Sequence, residues 1–156
     1  MKTTMKRKNY TYLIISCLLS CTSVAAQSLR DAFKAMPDAL MPGLTANNRL
    51  DMMDFMDARM KASVDNKLGG RSEMTFLADD SLAIRMSDAL TVEMKRQQSD
   101  TTVTVCMKRT YHTTAGQIQT VLTRYDASSW QPLGPTETIV STLEEFDEKI
   151  NTKDTL

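Results

Sequence analysis

Histidine and cysteine are scarce in this chain: one and three, respectively, among 156 residues. That scarcity closes several routes. No pair of cysteines or histidines has zinc-ligand spacing. Cys17 and Cys21 fall in an N-terminal targeting stretch, which leaves Cys106 alone in the folded part. A lone thiol makes no internal disulfide, so the fold has to be held by its core. Glycine is also sparse, five in all, and none of it forms a phosphate-cradling loop. No serine stands in a nucleophile elbow. Charge of one sign is lacking too, with 19 basic against 19 acidic side chains. The apolar run from Tyr12 to Leu19 is far below the roughly 20 residues of a spanning helix.

What the N-terminus does contain is the pattern of an export signal. Lys2, Lys6, Arg7 and Lys8 precede the short apolar run, and Val24-Ala25-Ala26 precedes Gln27 as a small-residue cleavage site. Residues 1–26 are therefore read as a signal peptide, 27–150 as one domain and 151–156 as a frayed tail. Removal of 1–26 takes away four basic residues and no acidic ones, leaving 15 against 19, a net −4. A mildly acidic domain offers no basic patch to a phosphate backbone, so nucleic acid is excluded as the expected partner. Leu18-Leu19-Ser20-Cys21 loosely resembles a lipobox. Lipidation at Cys21 is thus the alternative to a freely periplasmic or secreted protein, and the one route to membrane attachment.

Ser28 is placed to cap a short helix over Leu29 to Met36, ended by Pro37. Beyond a proline-punctuated connector, Asn47 to Lys61 has the clearest helical period. Met52, Met53, Phe55, Met56 and Met60 share one arc, with Asp51, Asp54, Asp57 and Lys61 opposite. Asn48 is the expected cap, Asp51 its partner three residues on, and the helix is expected to run to about Val64 before Gly69-Gly70.

From Arg71 the period switches to two. Met74 with Phe76, Leu82-Ile84-Met86, Leu90-Val92-Met94 and Val103-Val105-Met107 each mark one strand face, and Gln117 to Tyr125 is a fifth run. Short polar turns between them demand antiparallel neighbours. Thr138 to Val140 reads as a brief strand. Ser141-Thr142-Leu143-Glu144 reads as a capping box opening a last short helix that carries Leu143, Phe146 and Ile150. The expected fold class is α+β: N-terminal helices packed on one face of a five-stranded antiparallel meander, with a short C-terminal helix.

Candidate chemistry is thin. Cys106 and His112 are six residues apart on one strand, about 20 Å, which is beyond hydrogen-bond reach and makes His112 a turn residue. Asp51, Asp54 and Asp57 lie near one helix face, but a calcium site needs six to eight converging oxygens. They read as a solvated face, and Asp79-Asp80 reads as hairpin chemistry. Met53, Met56 and Met60 offer soft thioethers to Cu(I), yet the same residues are the helix's apolar filler. No catalytic, cofactor-binding or metal residues are assigned, and no cofactor is expected.

Met36-Pro37-Asp38, Leu44-Thr45, Asn47 to Met52, Asp54-Phe55 and then Gly70-x-Ser72-x-Met74 resemble a bacterial family of exported proteins of unknown function from Gram-negative gut anaerobes. The resemblance runs from about Leu29 to Trp130. It implies a further strand-rich segment that this chain lacks, and hence a sheet edge open to self-association. It implies no activity. The expectation is an exported, non-catalytic envelope protein that binds or scaffolds an envelope component or another protein. The alternatives are a hydrolase with an unrecognised site and, behind it, Met-based Cu(I) binding.

Overall fold

The computed structural model describes residues 28–114 and 116–142, with only the backbone of Ser141 and Thr142. The signal segment, Cys21 and the helix expected over Leu143 to Ile150 lie outside the described residues. Helix α1 spans Leu29–Ala35, with the Ser28 hydroxyl accepting from the Asp31 N–H at 3.1 Å. Leu29, Ala32 and Phe33 are buried on one side of it. Met36 turns extended, as a residue before proline must, and a 3-10 turn at Asp38–Leu40 leads into the second helix.

Helix α2 spans Ala46–Asp57, and both of its ends differ from expectation. Its cap is Thr45, not Asn48. The Thr45 N–H donates to Asn48 Oδ1 at 3.0 Å, and the Asn48 N–H donates to Thr45 Oγ1 at 3.1 Å. Asn48 thus fills the reciprocal position of a capping box rather than opening it. The helix stops at Asp57 because Arg59 adopts a left-handed φ of 56°. Arg59 N–H then bonds Met56 O, and Met60 N–H bonds Phe55 O at 2.8 Å, the paired closure of a Schellman motif. Glycine usually holds that position, and its absence hid the stop. The apolar spacing of Met60, Ala62 and Val64 also serves the strand that follows.

That strand, β1 (Ser63–Asp65), begins a meander with β2 (Arg71–Leu77), β3 (Ser81–Ser87), β4 (Leu90–Gln98), β5 (Val103–His112), β6 (Gln117–Asp126) and β7 (Glu137–Thr142). Each strand pairs antiparallel with the next, so among the described residues the sheet has seven strands in sequence order. This overturns the expected α+β arrangement of helices on a five-stranded meander with a C-terminal helix. The domain is mostly sheet, with two α-helices among the described residues. One added strand, Ser63–Asp65, lies where the apolar spacing predicts the end of a helix, and the other, Glu137–Thr142, extends the brief strand expected over Thr138 to Val140.

The first face of the sheet is apolar. Leu82, Ile84, Met86, Val92, Met94, Val105, Met107 and Tyr125 are buried in one core with Phe33, Leu44, Met52 and Met53. Trp130 Nε1 donates to Ala32 O at 3.0 Å, and its ring tilts onto Tyr125 at 5.6 Å between centroids. Two irregularities shape the other features. Between Met74 and Phe76 the pairing with β3 shifts by one residue, and it shifts again between Arg85 and Ser87 of β3. The second shift leaves Met86 O to side chains: Ser72 Oγ donates to it at 2.8 Å and Asn66 Nδ2 at 3.2 Å. Ser72 is fully buried, so that bond answers the need of a buried hydroxyl for a partner.

Candidate functional site

The shift within β2 is a β-bulge, and a bulge reverses the alternation that follows it. Met74 is buried on the first face, opposite Ile84, whereas Phe76 pairs with Ala83 and emerges on the second face, 50% exposed. The alternation had placed Met74 and Phe76 together. One extra residue, Thr75, separates their fates.

Register then carries Phe76 into a row across the sheet: Phe76, Ala83, Glu93, Lys108 and Leu122 stand opposite one another in turn on β2 to β6. Four strand spacings make that row about 19 Å long. The neighbouring row places Ser81, Lys95, Cys106 and Arg124 abreast. Between the rows lies a shallow groove of about 490 Å³, lined mainly by these side chains with Leu82 and Met94 at its wall. Phe76 and Leu122 give it apolar ends. Its middle carries an ion pair, Lys108 Nζ to Glu93 Oε2 at 2.8 Å, with both side chains half-exposed. Such a pair contributes at most about 1 kcal/mol to folding, which leaves it available to a ligand of either sign. A second cleft of about 410 Å³, near Gly70, Ser87 and Asp88, is polar. There Glu73 takes Arg85 at 2.6 Å and Lys61 at 3.8 Å, so its charges answer one another.

The residues singled out from sequence scatter. Cys106 lines the groove, opposite Lys95 and Arg124, while His112 pairs with Ile118 at the far end of β5. Asp57 is held by Arg30 in a two-pronged pair at 2.8 and 2.9 Å, and hydrogen bonding to that guanidinium lowers its pKa. Asp51 and Asp54 are simply exposed. Asp80 accepts from the Ser81 hydroxyl at 2.8 Å in the β2–β3 turn. Among the described residues, no three of His, Cys, Asp and Glu gather as metal ligands. The methionines do not form one arc: Met53 is buried, Met56 is half-buried, and Met60 lies beyond the helix end, 58% exposed.

The residue that sequence reasoning missed is Arg49, at 1% exposure the largest fully buried side chain. Its Nη1 donates to Asp38 Oδ1 at 2.8 Å and to Leu44 O at 3.4 Å, its Nη2 donates to Met36 O, and its Cζ sits 5.8 Å over the Phe33 ring. A guanidinium satisfies several carbonyls at once, and here it closes the connector between α1 and α2. Leu50 beside it is exposed. The available signal was the connector itself, whose carbonyls need donors that a proline-broken segment cannot supply locally. Asp126 plays a comparable part before β7. Its Oδ1 accepts from the hydroxyls and N–H groups of Ser128 and Ser129 at 2.7–3.0 Å, which lowers its pKa from 3.8 to about 2. That turn delivers Trp130 at its left-handed φ of 56°.

The described residues thus form a sheet-dominated domain with a groove on its second face. The chain belongs to the family described as Protein of unknown function (DUF3256), whose model matches residues 21–156. No curated protein and no solved structure matches it.

Proposed function

We propose that this is an exported, non-catalytic envelope protein that binds another macromolecule, a protein or other envelope component, through the groove on the second face. The observation that carries the reading is Phe76. A bulge turns a large aromatic out of the core and leaves it half-exposed at the mouth of a groove. Aromatic anchors of that kind dominate binding energy when a partner covers them. The signal-like segment supports export, with cleavage after Ala26 and lipidation of Cys21 as the alternative.

A photo-crosslinking residue at position 76, compared with one at the exposed turn residue Thr102, tests the groove in intact cells. A single envelope component captured from position 76 and not from 102 is expected, and Phe76→Ala at the neighbouring probe position Ala83 should reduce capture at least tenfold. Equal capture from both positions would refute the groove. Intact mass of the cell-derived protein tests export: a chain starting at Gln27 supports it, and an uncut Met1 form opposes it.

A further inference from the structure

Strand β7 carries an edge of unusual chemistry. It pairs with β6 from Gln117↔Thr142 to Leu122↔Glu137, and among the described residues nothing pairs with its outer side. Glu137 to Val140 are exposed on both faces, with Ile139 at 59% on the second face and Val140 at 60% on the first. From Thr138 to Thr142 the sequence is Thr-Ile-Val-Ser-Thr. It contains no Lys, no Pro and no charge, the devices by which edge strands usually discourage pairing. β-branched residues fill four of its five positions, and these are the residues most suited to a strand.

We propose that β7 pairs antiparallel with β7 of a second copy, joining two seven-stranded sheets into one across a two-fold axis. The occupant follows from charge and symmetry. A two-fold that pairs identical edges antiparallel must stand perpendicular to the sheet, so facing residues come from the same face. With the axis at Ile139, Ile139 meets itself, Thr138 meets Val140, and Glu137 meets Ser141. With the axis at Val140, Ile139 meets Ser141 and Thr138 meets Thr142. Either register keeps Glu137, the strand's single charge, away from its own copy, and both cover the exposed Ile139 and Val140. A strand so poor in charge offers little to a partner chosen by ion pairing, whereas it complements itself.

Sedimentation equilibrium of the protein purified from the cell envelope tests this, with Ile139→Lys, Val140→Lys and, on the opposite edge, Ser63→Lys. The wild-type protein and Ser63→Lys should be dimers at tens of micromolar. Lysine at 139 or 140 should weaken dimerisation more than tenfold, with unchanged far-ultraviolet circular dichroism. Amide protection in β7 should rise with wild-type concentration. A clean monomer at high micromolar concentration, an open-ended series of larger species, or a dimer insensitive to both lysines would each overturn the proposal. Capture through position 76 succeeds or fails independently of it.

Discussion

The two edges of the sheet are built on opposite plans. β1 is three residues long, and its Ser63 and Asp65 carbonyls are already engaged by nearby side chains. Arg71 donates to Ser63 O and Ser63 Oγ, both at 3.2 Å, and pairs with Asp65 at 3.2 Å, while Asn48 Nδ2 donates to Asp65 O at 3.3 Å. β7 has twice the length and none of that cover among the described residues. The lesson is that an edge is closed less by its own strand than by what neighbouring segments can reach over to occupy. Arg71 of β2 and Asn48 of α2 supply that reach at β1, whereas β7 follows a turn whose polar groups are spent on Asp126.

The largest expected effect comes from loosening helix α2, whose Asn48 reaches the closed edge. Arg49→Ala leaves Asp38 and two connector carbonyls without their donor and empties a buried site, which should cost about 3 kcal/mol. Chemical denaturation would measure it. Hydrogen exchange should speed up in α2 and β1 and leave β7 little changed. Equal acceleration at both edges would erase the contrast.

Asn48→Ala is milder and more pointed. It removes the capping-box partner and the bond to Asp65 O together, and should cost about 1 kcal/mol. The β1 amides should then lose protection before those of β3 or β4. Arg59→Gly should act in the other direction. A glycine relieves the left-handed strain at the end of α2, for a gain below ~1 kcal/mol in unfolding free energy by chemical denaturation, and no gain would mean that the Arg59 side chain compensates elsewhere.

Acid should act on the turn that leads to β7. The Asp126 pKa is lowered from 3.8 to about 2 in the folded state. Its contribution is therefore fully present above about pH 4 and is lost as the pH falls through 2. The group is well solvated, so the effect on global stability is small. The expected signature is faster exchange around Trp130 and β7 between pH 4 and 2, absent in Asp126→Asn.

Much of the sheet was legible because alternation is a local property. Leu82-Ile84-Met86 and Val103-Val105-Met107 announce which face goes inward whatever lies above them. Phe76 was not legible, since nothing in Met74-Thr75-Phe76 shows that Thr75 is the extra residue. Arg59 was not legible either, because a left-handed residue without glycine leaves no mark in the sequence. Arg49 lies three residues before Met52 on α2, and periodicity treats a charged side chain as outward-facing. Its burial depends on carbonyls of a connector that pass over it only in the folded chain.

The sequence by itself therefore determined the scarcity of histidine and cysteine, the succession of antiparallel strands and the inward face of most of them. These follow from residue type and from spacing along one strand. Tertiary structure decided the rest: where the helix stops, which cation goes inside, that Phe76 faces the groove, and that among the described residues the sheet has one covered edge and one bare edge. Each of these depends on which backbone donors and acceptors are left over once distant segments have met, and that sum is made only in three dimensions.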